Sequence, residues 1–211
     1  MQEVVFCSFP SVSAAYQNRK KEKIRVSLTS LYNKLNGMEP TTTAELVRYS
    51  AAQSAPLIQQ LGEAQKEWIS GLSVKILDGN CLEATDHRLK PLRKVASDPL
   101  PGKSLVILNP ILGIITEIFP CEDGHAQERA ILKEVLYTIR FNDLWVADRN
   151  FCVNSFLWEI AERQAFFLIR QHPQIPLQEV SSFKKAGRIE TGNVFEQTVL
   201  IQKESGESLK I

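Results

Sequence analysis

Two aspartates directly follow short apolar runs in the sequence. This placement suits metal-ion chemistry at the end of β-strands. Asp78 follows Ser73–Leu77, and Asp148 follows Leu144–Ala147. Ligands of an open sheet gather outside the carboxyl ends of its parallel strands. If the two runs are parallel neighbours, both side chains project at one edge and can share Mg²⁺ or Mn²⁺, hard cations that prefer oxygen ligands. We therefore predict a metal site held by Asp78 and Asp148.

Such a site would act on phosphodiesters. Two divalent cations about 3.5–4 Å apart activate a water or hydroxyl and stabilise the leaving oxygen. Carboxylates neutralise the cations and leave positions open for phosphate. An aspartate after a strand is also a common turn or helix-cap residue, because its side chain accepts hydrogen bonds from nearby backbone N–H groups. Position alone leaves both roles open.

The residues around the aspartates predict alternating strands and helices. The first strand is expected to end at Asp78–Asn80, since Asp-Gly-Asn favours a turn, and residues 86–103, rich in proline, are expected to form a loop. The elements predicted after that loop are a hairpin of Ser104–Leu108 and Gly113–Phe119, a helix over Gln127–Ile139, a strand over Leu144–Ala147, a helix over Asn154–Arg163 and a strand over Phe166–Ile169. This order predicts an α/β fold, a mixed sheet flanked by helices.

The first seventy residues predict helices. One helix carries an apolar stripe and ends at Gly37; the stripe consists of Leu28, Leu31, Tyr32 and Leu35. A second helix is expected after Thr43, with Leu46 and Val47 toward the core. Pro56 is expected to end or kink that helix.

The domain organisation follows from these changes in pattern. We predict a helical region over residues 1–70 and a mixed-sheet region over residues 71–172. Residues 173–211 are expected to begin a further unit, because residues 187–202 alternate apolar and polar side chains in the manner of β-hairpins.

The composition is that of a globular protein with no global charge bias. The 211 residues are 44% hydrophobic and 23% charged, and the formal net charge is +1. Nucleic-acid binding must therefore come from local clusters of charge. No signal peptide is evident, since the apolar run Val4–Cys7 is too short, and polar residues interrupt the most apolar window, Ser104–Pro120. We expect a soluble, cytoplasmic protein that contacts no membrane.

The four cysteines lie far apart and form no Cys-x-x-Cys pair. We expect reduced thiols packed as small hydrophobic residues. A zinc site is not expected, because the one set that we considered lacks the spacing of structural zinc ligands. That set is Cys81, His87, Cys121 and His125.

Several sequence blocks around the aspartates resemble the conserved blocks of DDE-type transposases of the insertion sequence four group. The blocks are Val74–Asn80, Ala84–Lys90, Asp123–Arg129, Leu144–Cys152 and Phe167–His172, and the similarity extends to Val12–Gln17. The most specific element is Asp148-Arg149-Asn150-Phe151 behind a buried strand, whereas Asp-Gly-Asn alone would be weak.

The resemblance implies a partial RNase H-like catalytic core over residues 71–172. It also implies that residues 1–70 can bind DNA and that residues 173–211 begin a β-rich insertion. In that fold the first acid lies on the first strand and the second on the fourth, and these strands are adjacent and parallel. The implied reaction is Mg²⁺- or Mn²⁺-dependent phosphodiester hydrolysis at transposon ends, followed by strand transfer into target DNA. The implied partners are transposon-end and target DNA and a second copy of the enzyme, since such enzymes pair two DNA ends as dimers.

The chain departs from the family at the third acid. The resemblance implies a glutamate on a helix, in a Tyr-x-x-Arg-x-x-x-Glu pattern that follows the second aspartate in the sequence. No residues after Asp148 match this pattern. Tyr137 and Arg140 begin the pattern, but Leu144 stands in the place of the glutamate. We therefore expect a fragment that ends before the third acid and that is inactive alone.

Arg149 and Asn150 are candidate DNA-contacting residues, because they directly follow the second aspartate. An equally weighted alternative is that Arg149 pairs with a carboxylate and that Asn150 caps the next helix. Two basic clusters either follow a DNA backbone or form solvated faces. They are Arg19, Lys20, Lys21, Lys23 and Arg25, and Arg88, Lys90, Arg93 and Lys94.

Three other functions remain open from the sequence. A different RNase H-like nuclease would complete its site with a local acid such as Glu83, Asp86 or Glu128. A non-catalytic remnant would bind transposon-end DNA or inhibit intact transposase by pairing with it. A decayed reading frame would have no selected function.

Overall fold

The chain is an α/β protein. A computed structural model describes residues 9–19, 24–85, 94, 100–203 and 205–211, which divide into two compact units, Met1–Thr42 and Thr43–Ile211. The described helices are α1 (Val12–Arg19), α2 (Leu28–Asn36), α3 (Pro40–Gln60), α4 (Glu128–Val135) and α5 (Asn154–Glu162). The described strands are β1 (Ser73–Thr85), β2 (Leu100–Asn109), β3 (Ile114–Cys121), β4 (Asp143–Ala147), β5 (Phe166–Ile169), β6 (Leu177–Glu179), β7 (Lys184–Ile189), β8 (Gly192–Glu196), β9 (Val199–Gln202) and β10 (Ser208–Lys210).

Five strands form one mixed sheet in the order β3-β2-β1-β4-β5. The pairs β1–β2 and β2–β3 are antiparallel, whereas β1–β4 and β4–β5 are parallel. The parallel pairs need long crossover connections, and α4 and α5 lie within them. The predicted α/β class with a mixed sheet is confirmed, as are the hairpin, the helices α4 and α5 and the strands β4 and β5.

The main core lies between the sheet and the two crossover helices. Trp145 on β4 is 0% exposed, and its ring meets Phe156 of α5 edge to face, with ring centroids 6.1 Å apart. Around this pair pack Leu77, Leu105, Ile107, Phe119, Ile131, Leu132, Val135, Ile139, Phe151, Ile160 and Ala165. The shared apolar face predicted for α4 is therefore buried, as expected of an amphipathic helix.

The unit Met1–Thr42 holds α1 and α2. Ser27 caps α2, because its side chain accepts a hydrogen bond from the backbone N–H of Ser30 at 3.1 Å. The helix ends before Gly37, as predicted. The Tyr16 hydroxyl on α1 donates to the carbonyl of Val26 at 2.8 Å.

Helix α3 departs from its prediction in where it begins and in which residues it buries. It begins at Pro40 rather than after Thr43, since proline is favoured at the first helical position, and it continues through Pro56 to Gln60. The predicted inward direction of Leu46 is wrong, because its side chain is 59% exposed. The buried side of α3 instead carries small residues, Ala44 and Ala51.

The expected turn at Asp78–Asn80 is also wrong. Strand β1 runs through these residues to Thr85, because β2 pairs with it from Ile76 to Thr85. Backbone pairing with β2 thus overrides the local turn preference of Asp-Gly-Asn. Of the predicted loop over 86–103, residues 100–103 belong to β2, and residues 86–93 and 95–99 lie outside the described residues.

Two smaller sheets follow the core. Strands β6, β9 and β10 form a three-stranded antiparallel sheet, and β7 and β8 form a separate hairpin. The β-hairpins predicted over residues 187–202 are present, although β9 pairs with β6 and β10 instead of β8. The domain boundaries at residues 70 and 172 stay predictions.

Asp143, the first residue of β4, is a buried carboxyl group. Its residue is 2% exposed, and its Oδ2 accepts a hydrogen bond from the backbone N–H of Arg140 at 2.8 Å. Burial raises the pKa of Asp143 above its ordinary value, and the hydrogen bond from Arg140 and the charge of Lys75 offset that effect only in part.

We expect Asp143→Asn to gain stability relative to the wild type as the pH rises. Because the folded-state pKa of Asp143 is raised, the native state binds its proton more tightly than the unfolded state. The stability contributed by that proton is present below the ordinary aspartate pKa, about 3.9, and is lost as the pH rises through the raised pKa. Urea unfolding across pH 3.5–8 measures the difference. Glu134→Gln, on an exposed position of α4, is the control, and a pH-independent difference for Asp143→Asn would contradict the assignment.

Candidate functional site

The parallel pairing of β1 and β4 brings the two sequence-predicted aspartates to one edge of the sheet. Leu77 is paired with Ala147, so Asp78 and Asp148 occupy the next position on each chain. Neighbouring strands lie about 4.8 Å apart, and paired residues of a ladder direct their side chains to the same face. The site residues from distant parts of the sequence are therefore neighbours in the fold.

Each aspartate uses one carboxylate oxygen locally. Asp78 Oδ1 accepts a hydrogen bond from the N–H of Gly79 at 2.9 Å, and Asp148 Oδ1 accepts one from the N–H of Asn150 at 2.8 Å. Asp148 thereby caps the single helical turn Arg149–Phe151. Both residues are exposed, and neither Oδ2 atom has a hydrogen bond within the described residues. A capping role and a ligand role are thus compatible, because the cap occupies only one oxygen.

Arg149 and Asn150 are both exposed next to Asp148. The alternative roles considered for them do not occur in the described part of the chain. Arg149 forms no ion pair there, and α5 begins behind Val153 without a side-chain cap. The carbonyl of Asn150 accepts a hydrogen bond from Arg129 Nε at 2.9 Å, which ties this turn to the start of α4.

A cleft of about 410 Å³ adjoins the same turn. Its lining residues are Lys103, Gln127, Glu128, Arg129 and Asn150. Sequence reasoning missed Lys103 and did not single out Arg129, because no local motif links β2 to the start of α4. The two cations each donate one hydrogen bond to a backbone carbonyl and keep further N–H donors for a ligand.

Glu128 lies against the backbone of β1. A Cβ atom built on Gly79 would stand 2.5 Å from Glu128 Oε1, so the carboxylate occupies the place of a side chain at position 79. Successive residues of a strand face opposite sides of the sheet. Glu128 therefore covers the side of β1 opposite to the one that Asp78 faces.

The loop before α4 is fixed to the start of β2. Gly124 N–H donates to the carbonyl of Pro101 at 3.0 Å, and Lys103 Nζ donates to the carbonyl of Ala126 at 2.8 Å. A Cβ atom on Gly124 would stand 2.7 Å from the Pro101 carbonyl oxygen. Glycine is therefore required by this close approach, which sets where Glu128 and Arg129 begin the helix.

Among the described residues, no three His, Cys, Asp or Glu side chains are arranged so that they could hold a metal ion. Of the local acids weighed as a third ligand, the Glu83 side chain and Asp86 lie outside that part.

Cys152 is buried as expected, whereas Cys81 is exposed, contrary to expectation. Most of both basic clusters also lies outside the described residues, namely Lys20, Lys21, Lys23, Arg88, Lys90 and Arg93.

Comparison of the chain with protein-family models gives no match, and comparison with curated proteins gives none either. In the part of the chain that the structure describes, no helix has both the length and the apolar character needed to cross a bilayer.

We expect Gly124→Ala to destabilise the fold more than Gly79→Ala. The new methyl group at position 124 meets the backbone of Pro101, which cannot move without shifting β2, whereas at position 79 it meets the end of a flexible glutamate. Overpacking of this kind costs about 1–3 kcal/mol, and urea unfolding measures it. The cost of Gly79→Ala should fall in a Glu128→Ala background, a coupling that a double-mutant cycle detects. Equal costs at both glycines would contradict the packing described.

Proposed function

We propose that the chain supplies two catalytic acids of a DDE-type transposase, an enzyme that cleaves DNA at insertion-sequence ends and joins it to target DNA with Mg²⁺ or Mn²⁺. Asp78 and Asp148 are two of its three metal-binding carboxylates. One observation carries the proposal: the parallel register of β1 and β4 sets the two aspartates side by side. The sequence blocks that resemble the family contain these same two residues.

The strand arrangement supports an RNase H-like core. The resemblance implies that the first acid lies on the first strand and the second on the fourth, with the two strands adjacent and parallel. Strands β1 and β4 have that relation in the order β3-β2-β1-β4-β5. The apolar runs before Asp78 and Asp148 predict the same positions independently of the resemblance, and Asp148 directly follows β4.

The donor set fits a hard divalent cation. Asp78 and Asp148 are both exposed residues, and carboxylate oxygen is the ligand that Mg²⁺ prefers. When bound, the cation activates the attacking water or hydroxyl and stabilises the leaving oxygen of the phosphodiester. Arg149 and Asn150 position the DNA by contacting a phosphate or a base next to the metal.

No residue of this chain matches the third carboxylate of the family pattern. No sequence behind Asp148 reads Tyr-x-x-Arg-x-x-x-Glu. We therefore propose that the 211 residues alone do not transpose DNA, and that the working assembly contains DNA ends and a second copy of the enzyme.

Glu128 gives a second candidate function, an RNase H-like nuclease that completes its own site. The observation that favours it is the contact of its carboxylate with Gly79, one residue from Asp78. Glu128 lies on the side of β1 opposite to the one that Asp78 faces, so its carboxylate is poorly placed to share a cation with Asp78 and Asp148. This function therefore ranks second.

Metal binding tests the aspartate pair directly. We expect the 211-residue chain to bind Mn²⁺, measured by electron paramagnetic resonance of the free ion, and Asp78→Asn and Asp148→Asn each to weaken binding by about tenfold or more, since each removes a charged ligand. Asp123→Asn, whose carboxylate bonds the N–H of His125, is a matched control. Unchanged Mn²⁺ affinity in both site variants would remove the basis of the proposal.

A nicking assay separates the two enzymes. With Mn²⁺ and supercoiled plasmid DNA, we expect the chain to be inert, because only two of three carboxylates are in place. Nicking that is abolished by Glu128→Gln and by Asp78→Asn would instead establish the nuclease. DNA binding that survives Asp78→Asn and Asp148→Asn, without Mn²⁺ binding in the wild type, would favour the non-catalytic remnant.

A further inference from the structure

The β7–β8 hairpin is exposed on both of its faces. Every residue of β8 is exposed, and on β7 only Gly187 is half-buried. The two chain segments at its base are joined to each other, since Thr198 N–H donates to Ser181 Oγ at 2.9 Å and Gln197 Nε2 donates to the Ser181 carbonyl at 2.8 Å. An isolated two-stranded ribbon is only marginally stable in water, and these hydrogen bonds hold its two ends together.

One face of the hairpin combines two cations, an aromatic ring and an amide. Lys185 is paired with Phe195, and Arg188 is paired with Asn193, so these four side chains share a face, here called the basic face. Lys185 and Arg188 are three residues apart, which in a regular strand would put them on opposite faces. The register shift between Lys185 and Gly187 restores them to the same one.

The basic face contains no acid. The opposite face carries the pair Lys184 and Glu196, with Val194 opposite Gly187. Phe195 is 54% exposed. Within the described residues, Lys185, Arg188 and Asn193 make no side-chain hydrogen bond or ion pair, so their donors and charges are available to a ligand.

We propose that the basic face binds single-stranded DNA. Proteins that bind single strands combine cations along the backbone with aromatic rings on which bases stack. Lys185 and Arg188 supply the cations, Phe195 supplies the ring, and Asn193 can hydrogen-bond a base edge. The choice of DNA over RNA rests on the proposed function. A second copy of this face is a poor occupant, because four cations would meet without a counter-charge.

Fluorescence anisotropy of a labelled oligothymidylate with the 211-residue chain, in EDTA, tests the interface without metal. We expect Lys185→Ala/Arg188→Ala to lower the slope of log affinity against log salt by about 1.4, that is about 0.7 for each lost phosphate contact. Phe195→Ala should weaken binding by about 5- to 150-fold through lost stacking. Lys184→Ala removes the same charge from the opposite face and should change affinity by less than about twofold. Circular dichroism confirms that each variant is folded.

Three outcomes would overturn the inference. They are no binding by the wild-type chain, an equal loss in Lys184→Ala and Lys185→Ala, and a preference for duplex DNA or for polyaspartate over the single strand. Because the binding is measured in EDTA, it does not depend on a metal ion held by Asp78 and Asp148. Failure of the inference is thus distinct from failure of the proposed function, which is read from Mn²⁺ binding to the aspartates.

Discussion

The parallel pairing of β1 with β4 is the constraint on which the candidate site depends. The two strands belong to segments separated by β2, β3 and α4, and the pairing holds only while the crossover helix remains packed on the sheet. Trp145 and Leu77, neighbours in this ladder, are buried in the main core. The hydrophobic core therefore fixes the register, and the register fixes which residues stand side by side at the exposed edge.

The edge of the sheet is built by contacts that ordinary sequence motifs do not encode. Gly124 allows the loop before α4 to approach Pro101, and Gly79 leaves room for the Glu128 carboxylate. Arg129 then reaches across to the carbonyl of Asn150. Two close approaches and one long-range hydrogen bond thus join β1, β2, α4 and the turn after β4, and they place two cations in the cleft beside Asn150.

Sequence patterns predicted the elements whose periodicity is strong. The stripe of α4 and the apolar run of β4 report burial, which an amino-acid pattern records directly. Patterns failed where a partner strand or a small-residue contact decided the outcome. Asp78–Asn80 is strand because β2 lies beside it, and α3 buries alanines in place of Leu46. Lys103 could not be assigned to the cleft, since its neighbours there come from other parts of the chain.

A purely structural role does not explain why both residues of the aspartate pair are charged. Asn or Ser caps a helical turn as well as Asp does, and like charges directly opposite each other on neighbouring strands are destabilising. Asp78 and Asp148 directly follow the paired residues Leu77 and Ala147, and both are exposed. In the proposed function, a shared cation would give each carboxylate a positive charge to contact. A divalent ion would thus explain why both residues are acids, which capping alone does not require.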